Sequence, residues 1–339
     1  MVADLADAAP AWDALGPPPS FYLDGRWMAA MSSTVSDRPM VALAAGDGGR
    51  PLAGFPVHVQ TASSYRLYDP WRALGHPSPR YPVVTSVAPG FEAGVRWADG
   101  LDGAAAAAAL DRALDEAEAF AADAGAPAAA FLYAPEGADP VLEAALAGRG
   151  YEAAEVGADA RLTLRWDDLD AYVADRPKKR RDTLRNEIRR FRESGIEVEA
   201  GGVEALTDDL APLHAGWRAK HGSTVTVDDL LAQYAAVRAH VGPAMRMFVA
   251  RRDGRPVAFS QFYEHDGVLY SRAAGFDYDA TEGTFAYFNL LFYEPVGWAI
   301  GRGIREVRYS MGSPEAKVAR GCHLVPLLAH VRLLGEGRP

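Results

Sequence analysis

The sequence predicts a mixed α/β (α+β) chain folded as two successive domains, each a mostly antiparallel sheet flanked by helices. Three observations predict it. The length, 339 residues, is that of about two domains at roughly 100–200 residues each. Two Asp-Gly pairs, Asp253-Gly254 and Asp266-Gly267, separate three alternating apolar runs, a strong local hairpin pattern. Between Asp102 and Gly125, Leu110, Leu114, Ala117 and Phe120 recur at helical spacing, and a strand-like run follows.

In chain order, residues 1–20 are rich in Ala, Asp and Pro and are read as an N-terminal extension with at most a short helix. Extended runs follow at 40–44, 53–60 and 81–87. In the second, Phe55, Val57 and Val59 share one side, and Pro56 suggests an edge strand or a strand beginning. Asp102 is a plausible N-cap for the next helix, which Gly125 and Pro127 stop; the Ala104–Ala109 run reflects helix propensity alone. A buried strand (128–134), a short helix (140–148) and one or two strands (151–166) complete a first domain at 21–168.

The second domain, 169–339, begins with a helix over 170–194 carrying Leu184, Ile188 and Phe191 on one face. An extended piece (196–203), helices over 206–218 and 227–241, and the three-stranded meander (245–251, 256–264, 268–274) come next. A long apolar helix (284–302), a strand (304–309), a short helical piece and a last strand (324–333) close it.

Composition excludes several classes. Hydrophobic residues at 49% and charged residues at 24% are ordinary for a globular protein. The net charge of −10 argues against DNA binding, a general nucleic-acid coat or a membrane-surface role. The acidic start, MVADLADAAP, lacks the basic and apolar regions of a secretory signal. No run of about 20 uncharged apolar residues offers a membrane span, and the single cysteine, Cys322, reads as a buried thiol. The expectation is a cytoplasmic protein. The histidines have no metal-ligand spacing, and P-loop, Gly-x-Ser-x-Gly and His-Glu-x-x-His motifs are absent, so no metal is expected.

The first helix of the second domain concentrates charge. From Arg176 to Ser194, nine bases face three acids, Asp182, Glu187 and Glu193, giving +6 and leaving −16 on the remainder. Arg181, Arg185, Arg189 and Arg192 form a stripe beside the apolar face. Such a run is either a solvated helix face or a local field that steers an acidic partner: a phosphate-bearing cofactor, an acidic carrier protein or the acceptor stem of a tRNA.

The segment Leu169–Glu199, with Trp217–Gly222, Tyr287–Glu294 and Arg308–Gly321, resembles the C-terminal domain of Fem-type and peptidoglycan-biosynthesis-like acyltransferases. These are a branch of the GNAT superfamily with two tandem GNAT domains. The resemblance covers 169–335; over 20–168 only Leu67–Trp71 and Gly150-Tyr151 suggest it. It implies two tandem GNAT-like domains, catalysis in the second, and acyl or aminoacyl transfer to an amine. One departure bears on the donor. The loop Ala274–Thr284 lacks the glycine spacing that cradles the pyrophosphate of CoA, and it carries Asp277, Asp279 and Glu282. Free CoA is therefore disfavoured and a donor presented on a macromolecule favoured.

Amide formation needs a positioned carbonyl, a neutral amine, a proton acceptor and donors for the oxyanion. Lys317, in Glu-x-Lys-x-x-Arg-Gly, is placed near the donor carbonyl, the alternative being a surface ion pair with Glu315. His221 and Glu264 are candidate bases. Lys178, Lys179, Arg181, Arg185, Arg189 and Lys220 would hold the donor or its carrier. Asp69, Gln261, Tyr270, Tyr287 and Asn289 would line the acceptor pocket. The expected function is acyl transfer from an acidic acyl carrier protein's phosphopantetheine thioester to a small-molecule amine, without a tightly bound cofactor. The alternatives are an aminoacyl-tRNA-dependent transferase and a ligand-binding protein that kept the fold without the chemistry.

Overall fold

The structure, a computed structural model, describes residues 1–36, 38–61 and 66–334. The chain divides into two compact units: Met1–Asp159 with Val325–Pro339, and Ala160–Leu324. The first unit thus takes back the chain's last strand, which the sequence reading assigned to the second domain.

Unit 1 contains β1 (Val2–Asp4), α1 (Leu5–Asp13), α2 (Gly25–Met31), β2 (Pro39–Ala45), β3 (Pro51–Gln60), α3 (Pro70–Ala73), β4 (Val83–Ser86), β5 (Arg96–Trp97), α4 (Gly103–Asp123), β6 (Ala128–Pro135) and α5 (Pro140–Gly148). β7 (Glu152–Thr163) runs from this unit into the next. Residues 1–20 are part of the unit, a correction to the expected extension. β1 pairs with β2, and Trp12 of α1 is fully buried with its indole N–H on the Leu23 carbonyl at 3.3 Å.

β3 is likewise an interior strand, although Pro56 suggested an edge. It pairs with β2 along its length, and on its other side with β5 at Ala53–Gly54 and β4 at His58–Gln60. Pro56 falls in the gap between those two partners, where its missing N–H breaks no ladder bond there. Phe55 and Val57 face Leu110, Leu114 and Phe131, forming the core beneath α4. Asp102 caps that helix through the Ala105 N–H at 2.8 Å, as expected.

Unit 2 contains α6 (Leu169–Ala174), α7 (Lys178–Arg192), β8 (Glu197–Gly201), α8 (Ala211–Lys220), α9 (Val227–His240), β9 (Met245–Arg252), β10 (Arg255–His265) and β11 (Val268–Phe276). There follow α10 (Ala286–Phe288), a π-helical turn (Asn289–Tyr293), α11 (Glu294–Ile300), β12 (Glu306–Arg308) and α12 (Pro314–Val318); β13 (His323–Leu333) returns to unit 1. The helix expected over 170–194 is two, because Pro177 denies Arg176 the helical region and starts α7 afresh. The meander is as expected: Asp253, Gly254, Asp266 and Gly267 all have positive φ, the geometry of tight hairpin turns. One core lies between the sheet and α11, where Phe248, Phe262, Leu269, Phe292 and Val296 meet. Ser260 on β10 donates to the Leu290 carbonyl at 2.6 Å, satisfying backbone that the π-turn leaves out of regular helical bonding.

Candidate active site

β11 and β12 run parallel for three residue pairs, ending at Tyr270 and Arg308. β11 continues to Phe276, while β12 turns away at a bulge. Tyr309 N–H donates to the Ala160 carbonyl at 2.8 Å, but the Ala160 N–H reaches past Tyr309 to Ser310 at 3.3 Å. Ser310 then takes the left-handed conformation, with φ of 58°. The displaced Tyr309 carbonyl accepts from Lys317 Nζ at 2.7 Å, and Ser310 from the same ammonium at 2.8 Å. β11 bulges too: Gln261 faces Ala273 and Phe262 faces Ser271, so Arg272 is the extra residue. The result is a fork between two strands, with the later part of β11 presented along one side.

α8 packs directly on β11. A Cβ at Gly275 would lie 2.7 Å from Leu213 C and 2.8 Å from His214 N, so glycine is what admits the helix. His214 is buried there, its Nδ1 3.2 Å from the Tyr234 hydroxyl and its ring edge-on to Phe259 at 5.8 Å. Burial pushes its pKa down to about 3, helped by the charges of Arg218 and Arg272. Gln261 donates to the Tyr263 hydroxyl at 2.8 Å, and burial raises that phenol's pKa. Tyr263 lies opposite Tyr270, over whose ring the Arg308 guanidinium sits at 5.2 Å.

The expected acceptor residues separate. Gln261 and Tyr270 belong to this buried polar face. Tyr287 is 38% exposed and packs on Phe276 at 5.5 Å. Asn289 is buried and points inward, donating to the Phe285 carbonyl at 2.9 Å and to that of Glu187 at 3.3 Å, which ties its helix to α7. Asp69 is an N-cap in unit 1, accepting from the Trp71 and Arg72 amides and the Tyr81 hydroxyl and pairing with Arg72 at 3.4 Å.

The expected catalytic residues do not converge either. Glu264 follows Tyr263, so alternation turns it to the opposite face, where it holds Arg246 at 2.7 Å. His221 is exposed at the end of α8, its ring 4.9 Å from that of Trp217. Lys317 is buried against backbone carbonyls, away from both a substrate role and the surface pair with Glu315. Lys220 lies over the Tyr278 ring at 3.7 Å.

On α7, Lys178, Lys179, Arg185 and Arg189 are exposed; Arg189 pairs with Glu193 at 3.0 Å, and Arg181 donates to the Ala174 carbonyl at 3.1 Å. Glu187 is buried instead, bound to Arg320 at 2.7 Å and accepting from the Tyr293 hydroxyl. Of the three acids between Arg176 and Ser194, Asp182 and Glu193 are therefore the ones left to offset the outward charge of α7. Arg190 stands over the Phe285 ring at 5.2 Å, beside the loop leaving β11.

Several amides of that loop are bonded within it. The Ala280 N–H goes to Asp277 Oδ1 at 3.0 Å, the Thr281 and Thr284 amides to the Asp277 and Thr281 carbonyls, and the Ala286 N–H to Thr284 Oγ1 at 3.2 Å. A cleft of about 890 Å³ in unit 1, lined among others by Trp71, Arg149 and Arg332, is a separate feature. Its guanidinium groups are held by Asp111, Asp115 and Glu118. No His, Cys, Asp and Glu grouping fit for a metal occurs among the described residues.

Sequence reasoning missed His214, Arg272, Arg308 and the Glu187–Arg320 pair. One signal was present: Leu210, His214 and Trp217 share a helical stripe, which puts an imidazole on an apolar face.

Residues 178–318 match the family model described as an acetyltransferase (GNAT) domain. No curated protein matches. The fold of the chain is similar to that of FemX (12% identity, 98% of this chain and 97% of that one, TM-score 0.62). It is similar also to L-PGS from Bacillus licheniformis (13%, 93% and 92%, TM-score 0.58). A tandem GNAT protein from the clavulanic acid biosynthesis pathway aligns as well (12%, 100% and 99%, TM-score 0.54). The architecture is thus that of two tandem GNAT-like domains.

Proposed function

We propose that this chain, an acyltransferase of the GNAT superfamily with its GNAT domain in the second unit, moves an acyl group from a carrier protein's phosphopantetheine thioester to a small-molecule amine. The carrier is acidic and docks on α7. The amine attacks the thioester carbonyl, a C–N bond forms as the C–S bond breaks, and the thiolate leaves as the free arm of the carrier. The amine's proton passes to solvent or to the departing sulfur. Neutral His214 is too weak a base to take it near pH 7, so it serves by holding Tyr234. What the fork would supply is position, holding the amine against the thioester carbonyl.

The observation that carries the donor assignment is the loop after β11, whose Ala280, Thr281, Thr284 and Ala286 amides are already taken within it, with Arg190 of α7 standing beside it. A free pyrophosphate needs open amides; a tethered arm needs a docking field next to the entrance. No helix among the described residues is long and apolar enough to cross a membrane, and we read the reaction as cytoplasmic and part of a biosynthetic pathway.

The test follows product by intact mass with equal concentrations of acylated carrier, acyl-CoA and aminoacyl-tRNA and a panel of amines. The carrier should exceed acyl-CoA by at least about 10-fold in kcat/KM, the equivalent of about 1.4 kcal/mol. Equal use of acyl-CoA, or turnover only with charged tRNA and abolished by ribonuclease, refutes the carrier. Retention of a small molecule without turnover from any donor makes the chain a binding protein.

A further inference from the structure

Three polar side chains share one face of β3 and β4 in unit 1. His58 is opposite Thr85 and Gln60 is opposite Val83, so alternation puts His58, Gln60 and Thr85 on the same side of the sheet. All three are fully buried. His58 is provided for: its Nδ1 lies 3.0 Å from the Ser36 hydroxyl, and the Val87 carbonyl is near the ring. Thr85 Oγ1 and both Oε1 and Nε2 of Gln60 have no hydrogen-bond partner among the described residues. A carboxamide both donates and accepts, and so does a hydroxyl. Leaving such a group unpaired in an interior costs more than an ordinary hydrogen bond gains, and here three orphan atoms gather at neighbouring positions.

Unit 2 closes the matching face with protein. Its strand pair next to a parallel neighbour, β10 and β11, sets Tyr263 opposite Tyr270, and Gln261, two positions from Tyr263, donates to the Tyr263 hydroxyl at 2.8 Å. In unit 1 the smaller His58 and Thr85 hold those places, again next to a parallel neighbour, and Gln60 meets no such hydroxyl. Gln60 and Thr85 are diagonal neighbours, whose Cβ atoms stand about 7–8 Å apart. That gap suits a bridging water, through which two hydrogen bonds of about 2.8 Å meet. An ion does not suit it, because the group offers no compensating charge: burial keeps the His58 ring neutral, its pKa pushed down to about 3. We infer that this face of unit 1 encloses a binding site for one or two ordered waters, which bridge the Gln60 carboxamide and the Thr85 hydroxyl beside the His58 ring. Buried waters of this kind make about three hydrogen bonds each. The site is independent of acyl transfer and of the donor.

A high-resolution crystal structure of the full chain reads the site directly. Density for a water within about 3.2 Å of Thr85 Oγ1 and of Gln60 Oε1 or Nε2 is expected. Thr85→Val, which keeps the side chain's shape and removes its hydroxyl, reads the same site in solution. Were the hydroxyl dry and unpaired, that change would stabilise the fold. With a bridging water it removes one of the water's partners, and the ratio of folded to unfolded chain in a urea titration should fall about 5- to 30-fold. Gln60→Met, similar in length and apolar, should act in the same direction. The double variant should lose less than the product of the two single losses, because both side chains serve the same water. If Gln60→Met does not fold, the crystal structure and Thr85→Val decide the matter without it. A Thr85→Val chain as stable as the wild type or more so, single losses that simply multiply, or a protein group in place of water against Gln60 and Thr85 overturns the inference.

Discussion

In unit 1 the row across β3, β4, β6 and β13 reads His58, Thr85, Ala130 and Val331; in unit 2 the row across β10, β11, β12 and β7 reads Tyr263, Tyr270, Arg308 and Arg161. Both are joined by antiparallel, parallel and antiparallel pairings in that order, so the two units repeat one topology. Their chemistry differs. The first row is uncharged, and His58 Nε2 and Thr85 Oγ1 are buried without a protein hydrogen-bond partner. The second carries two guanidinium groups and adjoins an open fork. One topology thus carries different side chains in the two units, and the fold by itself does not assign a function to either. The helices after the fourth strand differ in the same sense. α4 is regular and capped by Asp102, whereas its counterpart in unit 2 starts at left-handed Phe285, passes through a π-turn and is tied to a buried ion pair.

The largest expected effect tests that last contrast. Glu187→Ala leaves Arg320 charged at 2% exposure, and should cost about 3–5 kcal/mol of unfolding free energy in a urea titration. Arg149→Ala in unit 1, which loses hydrogen bonds to exposed Asp111 and Asp115 and to half-buried Glu118 but leaves no fully buried charge, should cost less, about 1.5–3 kcal/mol. Similar losses would remove the distinction between a unit braced by buried charge and one braced by packing.

Acid should stress both units through buried histidines, His58 and His330 in unit 1 and His214 in unit 2, each held below its ordinary pKa mainly by burial. Burial pushes His58 and His214 down to about 3 from 6.5, the nearby Val87 carbonyl offsetting only part of it at His58. The unfolded chain then binds more protons than the folded one between those values. Stability is full above pH 6.5 and falls as pH drops toward 3, by about 1.4 kcal/mol per pH unit for each histidine. His58→Gln and His214→Gln should each flatten that limb in pH-dependent denaturation. A limb unchanged by His58→Gln would mean that unit 1 does not keep this imidazole neutral as unit 2 keeps that of His214.

Much of the fold was legible because it is written in local signals: the Asp-Gly turns, the Asp102 cap, and the alternation of Phe55, Val57 and Val59. The site was less so. Glu264, His221 and Asp69 were chosen by residue type, and type does not report the face of a strand or the end of a helix. Arg161 and Arg308 lie almost 150 positions apart in the chain, and only strand pairing makes them neighbours. Pro56 misled for a related reason: its gap exists only because two separate segments share one side of β3.

The smallest stability effect belongs to the charged face of α7, and there the unit comparison becomes a question about the donor. Arg181→Glu with Arg185→Glu alters a half-buried side chain on a backbone carbonyl and an exposed one. Stability should move by no more than about 0.5–1 kcal/mol. If α7 is the docking face, donor KM should nevertheless rise at least about 10-fold, with kcat and acceptor KM unchanged, and added salt should weaken the wild-type donor more than the variant. Charge reversal on the exposed face of α4 in unit 1, as in Glu116→Lys, should leave donor KM alone. An unchanged donor KM in the α7 variant makes that face ordinary solvated surface and removes docking from the list of differences between the units.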